Sequence, residues 1–377
     1  MTIVKESAPH LRRKASVTRM MVDVLIALAP TLIFSFIVYK LQTALFYLVS
    51  ASIMIGAEFV YVGLRNMMPA DGQKHSFKER FLYAYKGKFN QNNVLTAAIS
   101  AIIFTLIMPA GAPIYAVAIG ALAGIVFGKL VFGGIGSNIF NPAAVGMLFA
   151  KICFIKKEHL GYVDTWYYKM PDAVAGATPL GGSSDAITNA VNNMQAYGLK
   201  ALVLGQVPGT LGEVYVITIL IGAIYLLIRR SADFRVMLPY LGLFALLSLV
   251  AGLSIYSVDA TTSPIRFALY YVLTGGVLFG GVFMLTDPVT SPINSPSRII
   301  YAMVAAVCTI FIRLFAALPE GVGFSILIAN MVAVVLDHYE WSSSRYTWKK
   351  FLAMGLLVVI PALTIFLVIK FGGVYHA

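Results

Sequence analysis

Residues 21–39 read MVDVLIALAPTLIFSFIVY, and residues 43–64 read TALFYLVSASIMIGAEFVYVGL. Both are long apolar runs. At about 1.5 Å of rise per residue, a helix of either length crosses a hydrocarbon core about 30 Å thick. Working outward, the same pattern recurs at 93–109, 113–132, 140–155, 211–228, 236–257, 266–285, 298–317, 321–337 and 351–371. The segment 140–155 is short and holds Pro142 and Gly146, so it is expected to be re-entrant or broken. The expected fold is an all-α polytopic membrane protein with about ten or eleven transmembrane helices.

Composition points the same way. Of the 377 residues, 59% are hydrophobic and only 12% are charged, too few charges to cover a water-exposed globule. The net charge of +12 would suit a nucleic-acid partner, but the Lys and Arg residues lie mostly in short loops between apolar runs. No nucleic-acid motif accompanies them, so the expected partner is a lipid membrane and not nucleic acid. Cys153 and Cys308 are read as small core residues, since two thiols cannot supply the four ligands of an iron–sulfur cluster. Histidines 10, 75, 159, 338 and 376 are scattered, and no Walker motif is present. Neither a metal site nor ATP use is expected.

The basic residues orient the chain. An N-terminal arm, 1–20, carries Lys5, Arg12, Arg13, Lys14 and Arg19 and is placed in the cytoplasm. No small-residue cleavage site follows the first apolar run, so it is read as an anchor. Crossing at every segment brings inside the loops with Arg65 to Lys88, with Arg229, Arg230 and Arg235, with Arg298, and with Arg345, Lys349 and Lys350. Lys156 and Lys157 fall outside, at the start of a long loop where charge orients weakly. The expected plan is a first transmembrane repeat at 21–155, an outer-face loop at 156–210, a second repeat at 211–337, and a cytoplasmic loop plus an extra C-terminal helix at 338–377. An internal echo suggests the repeats: GKLVFGGIGSNIFNPAAVGM (128–147) and GGVFMLTDPVTSPINSPSRI (280–299) both run from a Gly-rich apolar stretch into an Asn-Pro or Ser-Pro turn. Two five-helix blocks would have opposite topology, an architecture in which broken segments meet at a central site. The alternative is that Gly and Pro are simply common in membrane helices.

Two turns carry candidate chemistry. Asp172-Ala-Val-Ala-Gly176-Ala177-Thr178-Pro179-Leu180 is a small-residue turn with one hydroxyl at its tip. Gly and Ala admit close backbone approach, and Pro179 biases Thr178 toward an extended conformation. Read alone, it is an ordinary exposed turn. The second is Gly133-Gly-Ile-Gly136-Ser-Asn138-Ile-Phe140-Asn141-Pro142-Ala143. Its glycines permit close approach to a planar ligand, while Asn138 and Asn141 offer donors and acceptors to a ring. The competing reading is tight helix packing through small residues.

Taken together, these motifs resemble the RnfD/NqrB family of flavin-carrying redox subunits. Asp172 to Leu180 resembles the family's flavin attachment site, and 133–143 resembles its Gly-Gly-x-Gly-x-Asn-x-Phe-Asn-Pro-Ala turn. Ser7-Ala-Pro-His10 with Ser16 to Arg19, Thr286-Asp287-Pro288, Pro319-Glu320-Gly321, and Ala329-Asn330 through Asp337 continue the likeness in order. The short arm and Thr-Pro-Leu are more like RnfD than NqrB. The resemblance implies FMN esterified through its phosphate to Thr178 by a flavin transferase, with Asp172, Gly176 and Ala177 as recognition positions. Ala175 stands where the family often has Ser. It also implies a second, non-covalent flavin (riboflavin) at Gly133, Gly136, Asn138 and Asn141. The expected activity is that of a membrane subunit of an Rnf-type ferredoxin:NAD+ oxidoreductase in the bacterial inner membrane, with the flavin loop on the outer face. Electron relay would be coupled to Na+ or H+ movement in company with other Rnf subunits. The rivals are an NqrB-type quinone-reductase subunit and a non-redox channel or secondary transporter.

Charges inside a bilayer ask for a partner or a function. An ion path is expected along Glu58, Glu213 and Asp337. The alternative is interfacial acids plus one structural ion pair to Arg313. For Glu58 no base stands four residues away on its own helix.

Overall fold

The computed structural model describes residues 17–67, 77–86, 88–154, 186–196, 198–207, 209–258, 260, 262–316, 321–338, 341 and 343–372. Every apolar segment of the sequence contains a helix within these limits. α1 (Val17–Tyr39) and α2 (Leu41–Asn66) are followed by a short α3 (Phe77–Tyr85), then α4 (Gln91–Leu106), α5 (Ile114–Leu130) and α6 (Pro142–Cys153). α7 (Ala186–Ala196) and α8 (Leu199–Leu204) precede α9 (Val216–Arg229). α10 (Phe234–Tyr256), α11 (Pro264–Leu273), α12 (Val277–Met284), α13 (Ser295–Phe315), α14 (Gly321–Leu336) and α15 (Trp348–Phe371) complete the order. α1, α2, α10, α13 and α15 are each long and apolar enough to cross a membrane, and α11–α12 adds a sixth if the bent pair is one span. α4, α5, α6, α9 and α14 are shorter apolar helices. Among the described residues there is no β-strand. The chain is a polytopic, all-helical membrane protein.

Several local expectations are corrected. α6 is not broken: Pro142 stands in its first turn, where a missing N–H costs nothing, and Asn141 caps it. Gly146 serves packing. A Cβ there would lie 2.6 Å from the Gly120 carbonyl oxygen, so its absence lets α5 and α6 touch backbone to backbone. The break falls instead between α11 and α12, which are bent by 60°. Gly275 and Gly276 take φ of 61° and 73°, a region open to glycine at little cost. α3, α7 and α8 form inside stretches read as loops. For α7 the signal was present: Ile187, Ala190, Val191 and Met194 recur at helical spacing, and all are buried. Cys153 is exposed at the end of α6 rather than in the core.

The two blocks meet where α1 packs on α9 and α6 packs on α14. α15 packs on α10 and α13 and leaves most of its apolar surface outward. The two echoing stretches have matching local structure. Each helix ends in a π-helical turn, Val126–Leu130 in α5 and Gly280–Met284 in α12. The widened turns are closed by Val131 N–H to Val126 O (3.0 Å) and Leu285 N–H to Gly280 O (2.8 Å). Each then runs into a turn and a helix with proline near its start, Pro142 or Pro296. These turns are in contact with each other, at one end of the bundle. An inverted repeat would carry one of them to the far end, so these two stretches are not the pair that inversion would relate.

Candidate functional site

The site begins with Asn141. Its Oδ1 accepts from the backbone N–H groups of Ala143 (3.0 Å) and Ala144 (3.4 Å), satisfying donors that the first turn of α6 leaves open. Its Nδ2 donates to the Met284 carbonyl oxygen at 3.3 Å, which ties the α5–α6 turn to the π-helical end of α12. Asn330, fully buried on α14, lies between Tyr301 and this turn. With its amide oriented to satisfy every neighbour, its oxygen accepts from Asn141 N–H at 3.0 Å and its nitrogen faces the Tyr301 hydroxyl at 3.0 Å. Asp337, at the end of α14, accepts from Ile293 N–H at 3.0 Å. Motifs spread over some two hundred positions of the sequence thus converge on one place.

Between the halves at this end is a cavity of about 380 Å³. Its lining is mainly apolar, including Met20, Met21, Ile99 and Phe283, with Lys129, Asn138, Asn141, Thr286 and Asp287 as polar groups and the Gly136 backbone beside them. Gly136 has φ of 78°, and a Cβ there would meet nothing within 4 Å, so the turn presents bare backbone on an open side. Gly133 also has positive φ, and its carbonyl oxygen accepts from Arg65 Nη1 at 2.7 Å. Asn138 is buried and donates to Phe140 O at 3.4 Å, a weak bond. Asn141 is largely committed to capping, with one N–H of its amide left over.

Glu58 has a partner that its own helix does not supply. Lys129, on the π-helical turn of α5, places Nζ 2.9 Å from Glu58 Oε2, and both side chains are almost fully buried. Lys129 also donates to Thr96 Oγ1 at 2.9 Å, and Asn93 Nδ2 donates to Glu58 Oε1 at 3.1 Å. Arg313 feels the charge of Glu213, which packs at the α11–α12 break. It donates to the carbonyl oxygens of Tyr271 (2.8 Å), Thr274 (3.1 Å) and Gly275, and so caps the broken end of α11.

The three carboxylates expected to line one path lie apart. Glu58 touches Asn93 near the start of α4, whereas Gly212, beside Glu213, donates to Leu106 O at its end. Those ends are roughly 20 Å apart along the helix. Glu213 packs against Gly276 at the α11–α12 break. Asp337 belongs to the cavity end but ties down the outside of a turn. The flavin-attachment residues Asp172, Gly176, Ala177 and Thr178 lie outside the described residues.

Two buried charges inside apolar runs, and Lys350 at the start of α15, escaped the sequence reading. Lys129 is one. The other is Asp23 on α1, which accepts from Tyr225 Oη (3.2 Å), Arg229 Nε (3.1 Å) and Ser231 Oγ (2.7 Å) and so pins α1 to the end of α9. Each is a charge inside an apolar run, the same signal that singled out Glu58.

An all-helical bundle of long apolar helices, with a mainly apolar cavity between its halves, defines a polytopic integral membrane protein. More particularly, the chain belongs to the NQR2, RnfD, RnfE family, whose model matches residues 4–344. It is 36% identical over 244 residues to the B-type subunit of the Na(+)-translocating NADH-quinone reductase of Chromohalobacter salexigens, covering 64% of this chain and 57% of that one. To the corresponding protein of Ectopseudomonas mendocina it is 32% identical over 294 residues, covering 74% and 64%. It is 28% identical over 348 residues to the D-type subunit of the proton-translocating ferredoxin:NAD(+) oxidoreductase complex of Clostridium ljungdahlii, covering 88% of this chain and 93% of that one. The chain therefore spans less than two thirds of the two quinone-reductase subunits and nearly all of the ferredoxin one.

Proposed function

We propose that the chain is the D-type membrane subunit of an Rnf-type ferredoxin:NAD+ oxidoreductase, that it carries flavin, and that it passes electrons while the complex moves Na+ or H+. The observation that carries the proposal is the convergence of the Gly-rich turn and the Thr286-Asp287-Pro288 turn on one cavity, with Asn330 bonded to Asn141 in its wall. Its volume, about 380 Å³, lies within the range of about 300–1,000 Å³ typical of small-molecule sites. A mainly apolar lining with a few amide, ammonium and hydroxyl groups suits a flat ring with a polar edge. Non-covalent flavin belongs here, with Asn138 and the free N–H of Asn141 directed to that edge. FMN on Thr178 is supported by the Asp172–Leu180 motif alone.

Flavin exchanges electrons one or two at a time, and the protein holds it, orients it and keeps water from it. The end-to-end match with the Clostridium protein favours the Rnf reading. The higher identity to quinone-reductase subunits favours an NqrB-type role as the second reading. No nicotinamide or iron–sulfur motif is present in the sequence, so partner subunits supply those steps, and a flavin transferase supplies the Thr178 ester. The membrane is the bacterial inner membrane. With basic loops inside, the cavity lies toward the cytoplasm and Thr178 on the outer face, which gives electrons two stations across the bilayer.

The test is in-gel fluorescence of the denatured chain, expressed in a host with a flavin transferase. Fluorescent wild type with dark Thr178→Ala supports the reading. Dark wild type leaves the channel or transporter.

A further inference from the structure

The Glu58–Lys129 pair is unlike an ordinary helix-to-helix clasp. Lys129 lines the cavity, as does its hydrogen-bond partner Thr96, whereas Glu58 stands behind them. Glu58 Oε2 lies 2.9 Å from the ammonium, a charge-assisted contact between two buried side chains. An ammonium has three N–H groups, and its two neighbours leave one for an occupant. A buried ion pair adds little stability over apolar residues of similar size. Its place against a cavity wall asks for another explanation.

We propose that Lys129 and Glu58 set the reduction potential of the ring bound in the cavity. Lys129 is the cation that faces the ring, and Glu58 is the counter-charge that fixes how much of that cation the ring feels. This rests on the cavity being a flavin seat. Two electrons from an iron–sulfur or flavin centre of a neighbouring subunit, with one proton from water, leave a flavin ring with one net negative charge. No bond to the protein forms or breaks, and Lys129 keeps its proton. A fixed cation in a low-dielectric wall favours that added charge, and a carboxylate behind it weakens the preference. Among the described lining residues Lys129 is the only cation and Asp287 the only carboxylate. Asp287 is turned partly to its own backbone, accepting from Val289 N–H at 3.2 Å. Lys129 and Glu58 are positioning residues, and neither transfers an electron.

The experiment is a spectroelectrochemical titration of the purified complex in a Thr178→Ala background, where the flavin on this chain is the non-covalent one. Acid-extractable flavin per chain is measured first. Lys129→Gln is expected to disfavour reduction at least tenfold, about 30 mV for the two-electron step. Glu58→Gln is expected to favour it by a similar factor, and the double variant to return close to the parent. A purely structural clasp would shift both single variants in the same direction or neither. Retained flavin with same-sign shifts, or with shifts under twofold, overturns the inference while leaving the seat intact. Absence of extractable flavin in the parent overturns the seat and the inference with it. If Lys129→Gln loses its flavin, Glu58→Gln decides: a raised potential supports the assignment and an unchanged one overturns it.

Discussion

Asn141 and Met284, separated by 143 positions, are joined by one hydrogen bond of 3.3 Å from the Asn141 amide to the Met284 carbonyl oxygen. The same amide caps α6. One side chain therefore both starts a helix and fastens the two halves of the bundle, and the cavity forms around that fastening.

Replacing Asn141 separates those duties. Asn141→Ala loses cap and bridge, and unfolding of the detergent-solubilised chain should show a loss of about 1–2 kcal/mol. Asn141→Asp keeps the acceptor for the Ala143 and Ala144 N–H groups but loses the donor to Met284. Its melting temperature should lie between those of the parent and Asn141→Ala. Equal melting of all three would mean that Asn141 carries neither load.

The contact of α5 and α6 predicts a contrast between two glycines. A Cβ on Gly146 would stand 2.6 Å from Gly120 O and 3.2 Å from Gly124 Cα, so Gly146→Ala must push the helices apart. The expected cost is about 1–3 kcal/mol. An added methyl on Gly56 would meet nothing within 4 Å, and Gly56→Ala should be neutral or stabilising by up to about 1 kcal/mol. Thermal melts of the two variants check the ordering, which a reversed result would refute.

Arg313 holds the bend of α11–α12 open by binding three carbonyl groups with one planar fork, and its guanidinium lies 5.3 Å from the Phe244 ring centroid. A lysine ammonium lacks that geometry. Arg313→Lys should therefore increase hydrogen exchange at amides around 274–277 while leaving α13 itself protected. Unchanged exchange at the bend would show that Gly275 and Gly276 fix it without help.

Much of the helix order was legible because lipid demands long apolar runs and basic loops, and both are written plainly in the chain. The break at Gly275–Gly276 was not, because a left-handed pair of glycines inside an apolar run reads as one helix until Arg313 is seen capping it. The cavity was legible in part. Asn138 and Asn141 stood out as amides in a Gly-rich turn, yet nothing local showed that Asn141 spends most of its hydrogen-bonding capacity on a cap. Glu58 stood out as a buried acid, but its partner Lys129 lies on another helix, beyond the reach of spacing along one. Asp23 hid in the same way, its donors Arg229 and Ser231 arriving from the far half of the chain.

That this chain bears flavin is tested most directly by peptide mass mapping of the natively expressed complex over residues 170–200. The account predicts a peptide carrying a phosphate-linked flavin on Thr178, absent from Thr178→Ala. A fully unmodified peptide from a host that flavinylates other proteins would contradict it.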